Sequence, residues 1–273
     1  MKSWIVKWPV ATCYLLTIIL SWGYWITLIA QGKVVTPGSS VSHLPGLLGP
    51  ALAAIIVTAF LEGTSGIKEL FGRVIRIRSA WPWGMIIALS PIPLAILVFL
   101  MLHLLGKPLP PLHDFLTYPG LPANLSLGFM LFLVLPSNGY GEEIGWRGFM
   151  MEKWLPQHGK LGTTLRIAGL WLFWHLPLFW LNQTMASLVG PMLLGWAFGL
   201  VCGAFVLAHL YLLSGRSILV LALWHITYNL SVATPATTGI PAAAISTVVI
   251  IWGVVIAWKW WRKPDKVRQT SSF

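Results

Sequence analysis

From Trp8 to Ala30 the chain carries no charged side chain, and seven later stretches are nearly as apolar: Leu44 to Leu61, Pro82 to Leu105, Leu125 to Trp154, Leu165 to Trp180, Leu188 to Leu213, Ser217 to Val232 and Pro241 to Trp261. A helix crossing the roughly 30 Å hydrocarbon core of a bilayer needs about 20 apolar residues. Inside lipid a backbone must satisfy its own hydrogen bonds, which leaves helices or closed barrels. Runs of this length predict helices, so the expectation is an all-α, polytopic membrane protein: a bundle of about eight transmembrane helices in a single integral-membrane domain over residues 1–273. Composition agrees, since 57% of the residues are hydrophobic and 9% charged, too few polar groups to clothe a soluble surface. No soluble domain, low-complexity tract or internal repeat interrupts the pattern. The proline-rich stretch PLPPLHDFLTYPG at 108–120 reads as an irregular loop on the outer side.

The formal net charge of +11 raises the question of nucleic acid, but the basic residues fall between apolar runs rather than on one soluble face. Lys2 and Lys7 precede the first run; Lys68, Arg73, Arg76 and Arg78 fill the second connection; Lys153, Lys160 and Arg166 surround the fourth; Arg216 lies in the sixth. Lys259, Arg262, Lys263, Lys266 and Arg268 crowd the C-terminus, whereas the odd-numbered connections hold Lys33 and Lys107. That alternation predicts a multi-pass protein of the cell membrane with both termini in the cytoplasm, in contact with the lipid bilayer and not with nucleic acid. The basic residues then orient the chain and need bind nothing. The first run is longer than a signal-peptide core and no small-x-small pattern closes it, so it is expected to be a retained helix. Cys13 and Cys202 lie inside apolar runs without a CxxC partner and are expected to be buried small hydrophobes. Trp4, Trp8, Trp81, Trp83, Trp258, Trp260 and Trp261 sit near run ends as interfacial anchors. Gly195, Gly199 and Gly203, four apart, predict close helix packing rather than phosphate binding.

One stretch breaks the apolar rule. GYGEEIGWRG at 139–148 places Glu142, Glu143 and Arg147 within a membrane run, where each ionised side chain costs roughly 2.5 to 3.5 kcal/mol at the bilayer centre. Glu143 and Arg147, four apart, share a helical face and suit an ion pair, while Glu142 points about 100° away and is free to act. Two other runs carry matching oddities: His175 in WLFWHLP, and His225 with Asn229 in LWHITYN, four apart on one face. At 1.5 Å per residue, Glu142 lies roughly 18 Å, His175 roughly 15 Å and His225 roughly 12 Å from the cytoplasmic ends of their runs. All three therefore reach one layer, which suggests a hydrated, cytoplasm-facing cavity. His43, His158, His113, His103 and His209 fall in connections or near run ends and read as interfacial, and Glu152 beside Lys153 needs no special function. Pro136, Gly139 and Gly141 weaken the ladder ahead of the glutamates and are expected to break or widen the fourth helix.

A carboxylate, two imidazoles and an amide support hydrolysis in two ways. Glu142 with His175 activates water as general base while His225 and Asn229 bind the oxyanion; or Glu142, His175 and His225 ligate a divalent metal, typically zinc, with a water in the open position. The HExxH signature is absent, as are a GxSxG elbow, a P-loop and a dinucleotide fingerprint, so no organic cofactor is expected and metal stays open.

At these residues the chain resembles the CPBP intramembrane metalloprotease family, also called the Abi family. EEIGWRG at 142–148 matches its EExxxR motif, WLFWH at 171–175 resembles its FxxxH motif, and HITYN at 225–229 its HxxxN motif, in the same order. The resemblance covers roughly residues 125–232 and implies a bundle of about eight helices with a cytoplasm-facing catalytic cavity. It implies endoproteolysis near the membrane, as in removal of the last three residues of prenylated CAAX proteins. It assigns Glu142 as the water-activating glutamate, His175 as its partner, His225 and Asn229 as the oxyanion pair, and Glu143 and Arg147 as supports. Trp171 stands where the family usually has phenylalanine. A proton-coupled transporter uses similar intramembrane glutamates and histidines and is the alternative; a non-catalytic bacteriocin-immunity or scaffold protein of the same fold is the third reading.

Overall fold

The structure, a computed structural model, describes residues 2–76 and 83–265; Arg78, Trp81, Pro82, Lys266 and Arg268 of the sequence argument lie outside them. Eight principal helices follow the eight apolar runs. They are α1 (Pro9–Ala30), α2 (Gly49–Val74), α3 (Pro91–Leu104, preceded by a short helix Trp83–Ala88), α4 (Leu127–Val134 and the wider turns that continue it), α5 (Glu152–Trp174), α6 (Pro191–Leu213), α7 (Ile218–Val232) and α8 (Ile240–Arg262). Several open on a proline in the first turn, where its missing N–H removes no intrahelical bond. No β-strand forms among the described residues, only isolated bridges. Among the described residues five helical runs are long and apolar enough to cross a membrane, with Pro91–Leu104 and Ile218–Val232 as shorter apolar helices. Large apolar side chains such as Leu104, Phe132, Leu194 and Ile251 remain exposed on the bundle surface, as lipid contact requires.

The longest run, Leu127–Leu181, spans 55 residues and is not one rod. Gly159 adopts φ 63, ψ 178 inside it, a conformation open to glycine alone at low cost, and the chain reverses there. Glu142 and Trp171, 29 residues apart, are hydrogen-bonded, whereas a straight helix would separate them by about 43 Å. Gly63 (φ 62, ψ −150) makes a similar break in α2. The polar connection after Leu61 is thereby a second helical arm whose Leu70 and Arg73 are buried.

The two ends of the bundle are built differently. At the basic end Arg73 donates to the Tyr211 hydroxyl at 3.1 Å and pairs with Glu152 at 3.6 Å, Arg216 pairs with the same carboxylate at 3.1 Å, and Arg76 donates to the Gly215 carbonyl at 2.8 Å. Arg73 and Glu152 thus clasp α2, α5 and α6 together, beyond the purely orienting role expected of the one and the idle role of the other. At the opposite end residues 31–43 and 106–124 fold over the bundle as a strap. Val35 bonds Leu181 and Gln183, Gly120 N–H donates to Thr36 O at 3.2 Å, and Pro37 bridges Pro119. The proline-rich loop is therefore packed, with Tyr118 and Leu121 buried.

Cys13 and Cys202 are buried free thiols. The glycine expectation for α6 needs correcting. A Cβ on Gly195 or Gly203 would meet nothing within 4 Å, and the close approach is made from α8, where a Cβ on Gly253 would fall 2.4 Å from the Cys202 carbonyl.

Candidate active site

Alpha-helical geometry does not persist through the motif. The chain takes π-helical turns over Leu135–Tyr140 and Ile144–Met151, on either side of Gly141–Glu143. Pro136 lacks the N–H that would keep the ladder at i→i−4, and the wider turns bring both glutamates inward: Glu142 is 2% and Glu143 0% exposed. The flanking glycines are required by contact, because a Cβ on Gly141 would lie 2.6 Å from the Leu47 carbonyl and one on Gly145 2.4 Å from Pro50 Cβ. The start of α2 presses directly on the motif.

Glu143 and Arg147 pair as their spacing predicts, Arg147 Nη1 reaching the two carboxylate oxygens at 3.0 and 3.1 Å. Glu143 Oε1 also receives His225 Nδ1 at 2.8 Å. Since a carboxylate only accepts, that contact puts the proton on Nδ1 and leaves His225 Nε2 free. His175 Nδ1 stands 2.7 Å from the Trp171 carbonyl, so by the same logic Nδ1 donates and His175 Nε2 is available as a base. Glu142 Oε2 accepts the Trp171 indole N–H at 2.6 Å.

Trp171 is the hub that the sequence treated as a mere aromatic replacement. Besides Glu142 it meets the Arg147 guanidinium at 4.8 Å and the rings of His175 and His225 at 5.8 and 5.7 Å. Phenylalanine could fill that space but could not donate to Glu142. The extra N–H was legible in the sequence; its target was not.

Asn229 lies one turn beyond His225, with the buried Tyr118 hydroxyl of the strap near its amide. Burial, then the Glu142 carboxylate, push Tyr118 well above the ordinary phenol range, with the Asn229 contact opposing them. His43, expected to be a plain loop residue, is 6% exposed with its Nδ1 unpartnered. Burial, with His175 nearby, holds it down to about 4. Neither Tyr118 nor His43 carries a local sequence signal, because the strap that brings them in is tertiary. His158, His103 and His209 stay outside this cluster, and His113 pairs with Asp114.

Among the described residues no three His, Cys, Asp or Glu side chains gather as a metal-binding group, so the arrangement of Glu142, His175 and His225 does not fit the zinc site left open by the sequence.

Residues 122–231 match the family described as type II CAAX prenyl endopeptidase Rce1-like. Over 182 residues the chain is 24% identical to a protein of Methanococcus maripaludis called CAAX prenyl protease 2, and the match covers 63% of this chain and 63% of that relative's length.

Proposed function

We propose that the chain is an intramembrane endopeptidase of the CPBP type, CAAX-protease-like, hydrolysing a peptide bond of a membrane-associated substrate, a reading supported by the match of residues 122–231 to the Rce1-like family and by the similarity to a CAAX prenyl protease 2. The observation that carries this reading is the convergence on Trp171 of one carboxylate and two imidazoles, with Nδ1 of each imidazole engaged and Nε2 of each free.

Glu142, held at Oε2 by Trp171, takes a proton from water, with His175 Nε2 accepting a hydrogen bond from the same water and fixing its direction. The water oxygen bonds to the scissile carbonyl carbon and the carbonyl oxygen becomes an oxyanion. His225 Nε2 and the Asn229 amide lie on one face of α7, four residues apart, as oxyanion donors. With Nδ1 given to Glu143, His225 donates through Nε2 only as an imidazolium, for which Glu143 is the counter-ion. Glu142 then returns its proton to the leaving nitrogen as the C–N bond breaks. Glu143 and Arg147 hold His225 in place and take no part in bond making.

The test compares purified wild type with Glu142→Ala and His225→Ala on a panel of membrane-anchored and prenylated peptides, with and without chelator. Wild type cleaves and both variants lose cleavage. Equal cleavage by all three proteins would defeat the assignment, and loss of wild-type cleavage in chelator would return a metal to the site.

A further inference from the structure

Two charged contacts join the same pair of antiparallel segments. Glu143, in the widened part of α4, accepts from His225 Nδ1 of α7 at 2.8 Å. Glu152, nine residues after Glu143, pairs with Arg216 Nη1 at 3.1 Å, and Arg216 stands nine residues before His225. The two contacts are therefore matched rungs, on the order of 13 Å apart along the helices. The inner rung lies in the site and the outer one at the basic end.

The packing along this contact does little to fix how far α7 is inserted. A Cβ on Gly148 would lie 2.8 Å from Ile218 Cδ1, and one on Gly139 3.0 Å from the Ala222 carbonyl. These glycines let α7 come close but offer no side chain for it to lock against. Apolar surfaces can pack in more than one register, whereas a polar contact selects one.

The outer rung is also built at a cost to the backbone. Arg216 has φ 67, a region that non-glycine residues seldom occupy, and its neighbours hold it there. Its N–H donates to the Tyr211 carbonyl at 2.8 Å, Arg76 donates to the Gly215 carbonyl at 2.8 Å, and Ser217 Oγ, which caps the first turn of α7, donates to the Arg76 carbonyl at 2.6 Å. Strain that the surroundings over-determine in this way marks a geometric requirement. What the turn fixes is where the Arg216 guanidinium meets Glu152 Oε2, the same oxygen that Arg73 approaches at 3.6 Å.

We infer that Glu152 and Arg216 are positioning residues of the site: they set the register of α7 against α4, and through it the place of His225 and Asn229 relative to Glu142. Neither touches the reacting atoms. The consequence for catalysis rests on the protease reading above; the register does not.

Arg216→Asn removes the cation while keeping a residue that tolerates the left-handed turn, and Arg216→Lys keeps the charge. Asp265→Asn, which weakens the pair with Lys160 at the same end, is the control. On a membrane-anchored peptide that wild type cleaves, Arg216→Asn and Glu152→Gln should lower kcat roughly 10- to 100-fold, the effect of about an ångström of misplacement, with KM unchanged. Arg216→Lys should regain most of that loss, and Asp265→Asn should match wild type. The register is followed without turnover through the imidazole Nδ1–H proton resonance of His225, assigned by its disappearance in His225→Ala. It should move in Arg216→Asn and stay in place in Arg216→Lys and Asp265→Asn. A resonance that stays in place in Arg216→Asn overturns the inference, as does a wild-type kcat in that variant, a loss confined to KM, or a loss that Arg216→Lys does not regain. A wild type that cleaves no peptide, with the resonance still moving in Arg216→Asn and not in the control, would overturn the protease reading and leave the register standing.

Discussion

Arg147→Met would leave the Glu143 carboxylate, fully buried and doubly contacted in the native site, with the His225 imidazole as its remaining side-chain partner among the described residues. Removing one member of a buried ion pair costs about 3–5 kcal/mol, because the survivor keeps its desolvation penalty without its counter-charge. At the usual size scaling that is a fall on the order of 10 °C in the unfolding midpoint. Glu143→Leu should cost a similar amount by stranding the guanidinium. The double variant, Glu143→Leu with Arg147→Met, removes both charges and should regain most of the lost stability, since apolar replacement of a whole buried pair is often neutral or better. Activity should not return with it. Without Glu143 the His225 ring loses the acceptor that orients Nδ1, and loss of one oxyanion donor costs about 100- to 1000-fold in kcat. Thermal unfolding in detergent and cleavage of a membrane-anchored peptide read the two effects separately. A double variant with wild-type kcat would refute the orienting role of Glu143, and one as unstable as the two single losses combined would refute the electrostatic reasoning.

Trp171→Phe restores the family's usual residue yet removes the donor to Glu142; a hydrogen bond to a charged acceptor is worth about 1.5–3 kcal/mol, so kcat should fall roughly 10- to 100-fold with KM unchanged, and an undiminished kcat would show that the indole N–H only packs. Tyr118→Phe should lower kcat by about fivefold, the worth of one neutral hydrogen bond, and combining it with Asn229→Ala should add little to the loss from Asn229→Ala alone; additive losses in a double-mutant cycle would mean the two act apart. His43 is held down to about 4 against an ordinary value of 6.5, so between those values the unfolded chain binds the proton that the folded chain refuses. Stability therefore falls as pH drops from about 6.5 toward 4, and His43→Leu should flatten that slope in unfolding midpoints taken across the range.

The sequence made the helices legible because lipid leaves so little choice: eight apolar runs became eight helices, with boundaries misjudged chiefly where a glycine reversed the chain. Gly63 and Gly159 look unremarkable in sequence, yet their positive φ values turn a supposed polar loop into a second arm of α2 and fold α5 back on α4. The pairing of Glu143 with Arg147 was legible because it depends on spacing along one helix. The Trp171 contact to Glu142, the His225 contact to Glu143 and the approach of Tyr118 to Asn229 span 29 to 111 residues, and no periodicity encodes a meeting of that range.

That difference also explains why the sequence located the site in depth but not the contacts that close its basic end. Rise per residue fixes how far Glu142 and His225 lie from the ends of their helices, and the structure keeps them within one cluster. The Arg73, Glu152 and Arg216 cluster looked like scattered topogenic charge because its members come from three separate connections. Once gathered, those charges tie α2, α5 and α6 together at the basic end. The same basic residues are thus expected to orient the chain in the membrane as well as to hold its basic end together, so that charge added to the strap, by converting Leu112 and Thr117 to lysine, should weaken the orientation signal and give a population of mixed orientation, as a change in maleimide labelling of Leu230→Cys in intact cells would register.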